Sequence, residues 1–295
     1  MYLTGFADEV SPDLDLQINA TRELGWKFIE TRNLYGKNLA YISEEEFEAV
    51  QEKLANSGIR FNCYGSAVAN WAKSILDSPE SSYEEMRLVL PRMEKLGIKM
   101  IRIMSFSVPK ELKPTAYDLE DEVIKRVSHI VKMAEDAGVL CVHENCMNWG
   151  GLSFEHTLRL LDRIQSPALK LVFDTGNPVF NDDIRGEQPY ATQSAWEFYK
   201  AVKEHIAYVH IKDGYLKDNK NVYTFAGEGK GEVFRIMEDL IRSGYDGGIS
   251  MEPHLSSVFH EEGAPLDPKI CHKVYVEYGQ RFQKKMLELG AKNLS

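Results

Sequence analysis

Residues 135–144 read EDAGVLCVHE, and the change of pattern within this stretch indicates the fold class. A charged run, typical of a helix end, gives way at Gly138 to a short apolar run that ends in His143 and Glu144. Glycine adopts the left-handed conformation found just past many helix ends without a Cβ clash, so a strand can follow at once. The stretch therefore predicts a helix, a glycine joint and a buried strand that ends in a carboxylate.

The same junction recurs along the chain. RELGWKFIE, ANSGIRFNC and EKLGIKMIRI carry Gly25, Gly58 and Gly97 at the joint, and SPALKLVFD, RSGYDGGISME and KEHIAYVHIKD are related. The apolar runs are short, mostly lack alternation and are separated by helical patterns, which indicates strands of a parallel sheet buried on both faces. With the opening residues they number eight: YLTGFAD, KFIET, IRFNC, KMIRIM, VLCVHE, LKLVFD, AYVHIK and GGISME.

Helical patterns fill the intervals between these runs. Residues 13–24, 43–56 and 117–136 have apolar side chains at helical spacing, Ser43 with Glu46 predicts a capping box, and 268–289 predicts a terminal helix. Eight strand-helix units over 295 residues give about 37 residues each, against roughly 31 in a 250-residue barrel. We predict an α/β fold, a single-domain (β/α)8 TIM barrel over residues 1–295 with a C-terminal helix.

An open doubly wound sheet is the alternative fold. It would normally have a glycine-rich phosphate-binding loop after the first strand, and FADEVSPDL is not such a loop.

Composition limits the function. The formal net charge of −10 argues against a nucleic-acid partner, whose phosphates attract Lys and Arg clusters. No stretch approaches the roughly 20 apolar residues that span a bilayer, and MYLTGFADEV lacks a basic start and a long apolar run. The four cysteines form no CxxC pair. We expect a cytoplasmic protein with a small-molecule ligand and no nucleic-acid or membrane partner.

Four consecutive predicted strands end in a candidate metal ligand. Glu144, Asp174, His210 and Glu252 are separated by 30, 36 and 42 residues, each about one strand-helix unit. Barrel enzymes place their chemistry at the carboxyl ends of the strands. Three carboxylates and one imidazole suit Mn²⁺, Mg²⁺, Co²⁺ or Zn²⁺, and without a cation such close carboxylates repel. Taken alone, each of these residues is also typical of a loop anchor, a helix cap or a buried core histidine. Four such residues at the ends of consecutive strands favour a metal site.

The motifs around these residues resemble the sugar phosphate isomerase/epimerase superfamily of xylose isomerase-like barrels. The similarity covers nearly the whole chain and includes HEN at 143–145, FDTGN at 173–177, HIKD at 210–213 and MEP at 251–253. That superfamily includes ketose 3-epimerases, hydroxypyruvate isomerase, inosose dehydratase and the endonuclease IV group. The resemblance implies a divalent metal, for which we expect Mn²⁺, held by Glu144, Asp174, His210 and Glu252, with the two glutamates beside the substrate.

The chemistry of that ligand set predicts proton transfer. A metal that chelates a carbonyl and its neighbouring hydroxyl acidifies the α-proton, and Glu144 and Glu252 can act as catalytic acid and base. We expect an isomerase or epimerase acting through an enediolate on a ketose, a keto-inositol or a small hydroxy-carbonyl sugar. One alternative is a lyase that dehydrates an inosose or cleaves a 3-keto-glycoside by elimination. The other alternative is a non-catalytic sugar-binding barrel.

Departures from the ketose 3-epimerase pattern argue against that particular activity. Asn177 stands where those enzymes commonly have a histidine, and Lys217 is the nearest basic residue after Lys212, where an arginine is usual. Those enzymes have an acidic residue shortly after the glutamate of the fifth strand, whereas residues 148–151 of this chain read NWGG. The extra histidines and acids of the endonuclease zinc cluster are not recognisable.

Six residues are candidate substrate contacts. Lys212 and His254 each lie two residues beyond a ligand and should face the same side of their strands. His143 should face the helices by alternation, where packing is the simpler role, unless the strand twists at its end. Trp71 and Trp149 lie in predicted loops and could either cover a sugar ring or pack. The full set is Lys212, His254, Trp149, His143, Asn177 and Trp71, with Glu30 and Arg32 as further possibilities.

The predicted loop PVFNDDIRGEQPY, residues 178–190, carries aromatic residues. Exposed aromatic side chains are common in subunit contacts, so we expect a homodimer or homotetramer.

Overall fold

Eight parallel strands form the central sheet of the computed structural model, which describes residues 1–255, 267–292 and 294. Consecutive strands are hydrogen-bonded neighbours from β2 to β8, β8 also pairs with β1, and β1 packs beside β2 at the remaining seam. This is the predicted TIM barrel. The strands are β1 Tyr2–Gly5, β2 Phe28–Thr31, β3 Arg60–Gly65, β4 Met100–Ile103, β5 Leu140–Glu144, β6 Leu169–Asp174, β7 Ile206–Ile211 and β8 Gly248–Met251.

Helices alternate with the strands and cover the barrel, and the predicted C-terminal helix follows β8. In the described part of the chain no helix is both long and apolar enough to cross a membrane. The α-helices are α1 Leu14–Glu23, α2 Glu44–Ser57, α3 Glu80–Leu96, α4 Glu120–Asp136, α5 Phe154–Ile164, α6 Asn177–Phe180, α7 Ala195–Val202, α8 Val233–Arg242 and α9 Pro268–Glu288.

Short elements extend the loops at the carboxyl ends of the strands. Two antiparallel hairpins are built by Asn33–Leu34 with Lys37–Asn38 and by Gly214–Lys217 with Lys220–Tyr223. Residues 117–119, which we expected to begin α4, belong instead to a 3₁₀ segment, Lys110–Leu119, that is kinked at Thr115. The other 3₁₀ turns are Ala7–Glu9, Trp149–Leu152 and Lys203–His205.

The predicted glycine joints are confirmed. Gly25, Gly58, Gly97 and Gly138 have φ angles of 72°, 74°, 71° and 65°, the left-handed conformation that a side chain disfavours. The predicted capping box is also present, with the Ser43 hydroxyl accepting the Glu46 N–H and the Glu46 carboxylate accepting the Ser43 N–H. These local signals position the start of each strand relative to the preceding helix.

Strand alternation positions the candidate ligands inside the barrel. Val142, Val172 and Tyr208 lie two residues before Glu144, Asp174 and His210, and they form with Cys63 a buried cluster separate from the main core. Their neighbours Cys141, Phe173 and Val209 belong to the main core under the helices. Because side chains alternate along a strand, the ligands continue the inner row and emerge at its carboxyl end.

Replacing Gly138 by alanine tests the joint. A Cβ at Gly138 meets nothing within 4 Å, so only its φ of +65° opposes the change. We expect Gly138→Ala to lower the free energy of unfolding by about 1–2 kcal/mol, measured by urea denaturation. Gly186→Ala is the control, since no positive φ is found there and the nearest atom is 3.6 Å away. Equal stability of the two variants would contradict the argument.

Candidate metal centre and active site

Four buried side chains converge at the carboxyl ends of neighbouring strands. Glu144 ends β5, Asp174 ends β6, His210 lies near the end of β7, and Glu252 follows β8. Each offers one ligand atom, and these four atoms lie within 4.8 Å of one another. The structure thus brings together all four residues predicted to bind a metal.

Asp174 is held by the turn that follows β6. Its Oδ1 accepts the backbone N–H groups of Gly176 and Asn177, at 2.8 and 2.7 Å. Its Oδ2 accepts no hydrogen bond from the described residues and has the Lys212 ammonium 3.0 Å away. Burial raises the pKa of Asp174, and the Lys212 charge opposes that rise. One oxygen is therefore fixed by the turn and the other faces the ligand group.

His210 is oriented by a carboxylate behind it. Its Nε2 lies 3.0 Å from Glu30 Oε2, and Glu30 is completely buried. Its Nδ1 has no hydrogen-bond partner in the described chain and lies 3.8 Å from Glu144 Oε1. Burial alone would lower the pKa of His210, but Glu30 and Glu144 outweigh it and raise the pKa to about 10. A carboxylate that accepts one ring N–H is the usual partner of a metal-binding histidine.

Cations neutralise the two glutamates. Arg102 Nη1 lies 2.8 Å from Glu144 Oε2, and Arg32 Nη1 lies 2.6 Å from Glu252 Oε1. Lys212 Nζ is 2.9 Å from Glu252 Oε2. Burial by itself would raise the pKa of both glutamates, but these positive charges hold the pKa of each below its usual range. Both carboxylates are therefore ionised at neutral pH.

The donor set fits a divalent cation. Asp174 Oδ2 and His210 Nδ1 are buried atoms without hydrogen-bond partners among the described residues, and both belong to the converging group. Three carboxylates and one imidazole match the oxygen and nitrogen ligands of Mg²⁺, Mn²⁺, Co²⁺ or Zn²⁺. A bound ion would replace the positive charge that Lys212 now supplies to Asp174 and Glu252.

Lys212 reaches these carboxylates through a gap left by a glycine. A Cβ on Gly176 would lie 2.8 Å from Lys212 Cγ and 2.9 Å from both the backbone carbonyl carbon and the Cβ of Lys212. The φ of Gly176 is −89°, which any residue adopts. The glycine is therefore needed for space and not for backbone conformation.

A cavity of about 260 Å³ opens beside the ligand group. Glu144 and Glu252 line it, whereas Asp174 and His210 lie behind its wall. Four predicted substrate contacts also line it, namely Lys212, His254, Asn177 and Trp71. Asn177 Nδ2 donates to Glu144 Oε1 at 2.9 Å, so it also orients a glutamate.

Two predicted substrate contacts lie outside this cavity. His143 is completely buried, its Nε2 is 3.0 Å from Ser105 Oγ, and its ring packs against Gly150. His143 therefore points away from the cavity, as strand alternation predicts, and contacts the segments that follow β4 and β5. Trp149 is also completely buried, and its indole N–H donates to the Ala116 carbonyl at 2.8 Å. The 3₁₀ turn at Trp149–Leu152 directs this ring inward, where it supports the loop.

Sequence reasoning missed Arg102 entirely. It is the one charged residue within the β4 sequence MIRI, and its side chain is 9% exposed. Besides Glu144 it contacts the Ser66 carbonyl, with Nη2 donating at 2.8 Å. A lone arginine in a buried apolar strand was an available signal, because such a charge needs a buried acidic partner.

Sequence reasoning also missed the partnership of His254 with Glu9. The backbone N–H of His254 donates to Glu9 Oε2 at 3.0 Å, and the ring Nδ1 of His254 lies 3.2 Å from Glu9 Oε1. His254 Nε2 lies 3.6 Å from Glu252 Oε1. Its φ of 53° is unusual for a residue with a side chain, and the contacts to Glu9 hold it there. The imidazole is thereby fixed between Glu9 and Glu252.

The fold and the motifs define one class of protein, the xylose isomerase-like barrels. The model of the family described as xylose isomerase-like TIM barrel matches residues 18–269, and the chain belongs to that family.

Individual relatives are more distant. An inosose dehydratase from Bacillus thuringiensis (strain Al Hakam) is 27% identical in an alignment 139 residues long, and the match covers 42% of this chain and 43% of that protein. A D-tagatose 3-epimerase-like protein superposes with a TM-score of 0.69 at 17% identity over 98% of both chains. A xylose isomerase-like protein from Mycobacterium smegmatis in complex with magnesium has a TM-score of 0.69 at 15% identity over 99% of this chain and 97% of its own. The structural likenesses establish the fold.

Metal addition should stabilise the protein. An ion at 100 times its dissociation constant contributes about 2.7 kcal/mol, so saturating Mn²⁺ should raise the Tm of the EDTA-treated protein by several degrees. Asp174→Asn should remove most of that shift, measured by differential scanning fluorimetry. Asp118→Asn, at an exposed position, is the control. An undiminished shift in Asp174→Asn would contradict the assignment.

His143→Ala should affect stability and leave metal binding intact. Loss of the buried ring and of its contact with Ser105 should cost about 2–4 kcal/mol in urea denaturation. Burial lowers the pKa of His143 to about 4, so the neutral ring stabilises the fold above about pH 6.5. That contribution is lost as the pH falls from 6.5 toward 4, and the variant should show a flatter pH dependence there. A variant with normal stability but no Mn²⁺-induced shift would refute this role.

Proposed function

We propose that this protein is a divalent-metal-dependent isomerase or epimerase. Its substrate is a ketose, a keto-inositol or a small hydroxy-carbonyl sugar, and the reaction proceeds through an enediolate. One observation carries the proposal: Glu144 and Glu252 both line the cavity and both belong to the group that fits a metal. The metal proposed is Mn²⁺, and Mg²⁺, Co²⁺ or Zn²⁺ fit the same donors.

The two glutamates are suited to move a proton. When bound, the divalent ion supplies Lewis-acid polarisation of the substrate carbonyl. Glu144 and Glu252 are ionised because nearby cations hold their pKa values below the usual range, so each can accept a proton. They come from strands three positions apart in the barrel and approach a ligand from different directions. One glutamate removes the proton, and the other, once it has taken up a proton from solvent, delivers that proton to the opposite face, which gives epimerisation. Return of the removed proton by the same glutamate to the adjacent carbon gives isomerisation.

Three cations can complete the substrate site. Arg32, Arg102 and Lys212 line the cavity beside the two glutamates. Buried hydrogen-bond donors aimed at a developing oxyanion stabilise it strongly, because little solvent has to reorganise. Lys212 is suited to this role, since its ammonium is 2.9 Å from Glu252 and almost fully buried.

A lyase is the second candidate, and the His254–Glu9 pair favours it. Elimination needs a base at the α-carbon and an acid at the departing oxygen. His254 lines the cavity, is held by Glu9, and lies within 3.6 Å of Glu252. Partial similarity to an inosose dehydratase supports the same alternative. The substrate would then be an inosose that loses water or a 3-keto-glycoside that loses its substituent.

Isotope exchange distinguishes these candidates. The Mn²⁺-loaded protein is incubated in D₂O with a panel of ketoses and inososes, and products are followed by NMR. Deuterium in an isomer or epimer supports proton transfer, whereas an unsaturated product supports elimination. If the protein binds no divalent ion and gains no activity with Mn²⁺, the remaining candidate is the non-catalytic sugar-binding barrel.

Glu144→Gln tests the base directly. The amide keeps the shape and one oxygen ligand but cannot accept a proton, so turnover should fall by about 10²–10⁴-fold while the fold persists. Activity, metal content and the free energy of unfolding are measured together. Glu111→Gln, at an exposed position, should match the parent in all three. An active Glu144→Gln enzyme with normal metal content would refute the mechanism.

Assembly and cellular location stay predictions from the sequence. A dimer or tetramer paired through the loop at 178–190 would sediment above the monomer mass at micromolar concentration. Cytoplasmic localisation would be tested by fractionation of the source cells.

A further inference from the structure

We propose that the reacting sugar carries a second ring as a glycosidic substituent, and that this ring binds in a separate cavity beside the catalytic one. This inference rests on the proposed function, since it names the substrate class of the same site. A second cavity of about 320 Å³ adjoins the first. Five residues line both: Trp71, Cys146, Met147, Phe180 and Asn181. The two cavities therefore adjoin each other along these five residues.

The second cavity lies apart from the candidate metal ligands. Glu144, Asp174, His210 and Glu252 are all absent from its lining. Its walls come from the segment after β4, with Ser107 and Val108, and from the turn after β5, with Gly151 and Leu152. A ligand part bound there would be positioned by the protein without taking part in proton transfer.

The lining of the second cavity suits a ring with an apolar face. Val108 and Leu152 form buried apolar walls, and Phe180 contributes an aromatic surface. Trp71 and Met147, at the junction, remain 39% and 47% exposed. Large apolar side chains that line a cavity next to a polar site are typical of ligand pockets, and an indole or thioether packs well on a ring face.

The charges of the second cavity argue against a phosphate as the occupant. Lys113 lies 3.3 Å from Asp182, so its charge is already compensated. Lys110 is the other cation in the lining, and it is exposed. A phosphate site usually offers several convergent donors, whereas the apolar walls here favour a ring.

Paired glycosides test the inference by binding alone. Phenyl and methyl α- and β-glycosides of glucose, galactose and mannose are titrated into the Mn²⁺-loaded protein by calorimetry. At least one phenyl glycoside should bind about tenfold or more tightly than its methyl counterpart. If no phenyl glycoside binds more tightly than its methyl counterpart, the inference is overturned.

Two variants assign the preference to the second cavity. Ser107→Phe fills a cavity that Ser107 lines, so it should abolish the phenyl preference and leave the binding of methyl glycosides unchanged. Met147→Ala removes a side chain that is 47% exposed, so the fold should tolerate it, and it should reduce the preference at least threefold. Leu88→Ala, at an exposed leucine of α3, is the control and should preserve it. An unchanged preference in Met147→Ala refutes the assignment even if Ser107→Phe does not fold.

Failure of this inference and failure of the proposed function give different results. The titrations involve no turnover, so a phenyl preference without deuterium exchange would contradict the proton-transfer mechanism alone. Exchange into simple ketoses without any phenyl preference would contradict the two-ring substrate alone.

Discussion

The contact of the Lys212 ammonium with Asp174 and Glu252 is the interaction on which the site depends. Three carboxylates whose ligand atoms lie within 4.8 Å of one another would repel strongly in a buried setting. Lys212 sits 3.0 and 2.9 Å from two of them, and Arg102 lies 2.8 Å from the third. Removing one partner of a buried ion pair typically costs about 3–5 kcal/mol. The cations thus allow the carboxylates to remain ionised and close together.

The barrel supplies the rigidity that this charge arrangement needs. Glu144 and Asp174 are the last residues of their strands, and His210 pairs in register with Asp174 across β6 and β7. The segments that follow the strands add groups that line the cavity, such as Asn177 and His254. Side chains on strands are held more precisely than those on loops. The candidate metal ligands are therefore positioned by the most rigid part of the fold.

Much of this architecture could be predicted from the sequence because its signals are local. A glycine after a helix and an apolar run after that glycine indicate each unit without knowledge of distant contacts, as at Gly138. The period of two along a strand then places Glu144 inside and His143 outside. Spacing of one unit between Glu144, Asp174, His210 and Glu252 predicted the ligand group.

The remaining features depend on contacts between residues far apart in the chain. Glu9 meets His254 because β1 and β8 are neighbours in the closed barrel. Arg32, which follows β2, meets Glu252, which follows β8, across the end of the intervening β1. The sequence left Trp149 open between a substrate contact and packing, because loop side chains have no periodicity from which their direction follows. Its hydrogen bond to Ala116 comes from the 3₁₀ segment after β4, which local patterns did not indicate.

The close approach of Gly176 to Lys212 limits which residues evolution can accept at the glycine. Since the Gly176 backbone is ordinary, the selection for glycine comes from the crowding opposite it and not from the turn. The crowding atoms include the backbone carbon and the Cβ of Lys212, which alanine or serine at that position would also have. Homologues that replace the lysine by a short residue should therefore still keep the glycine.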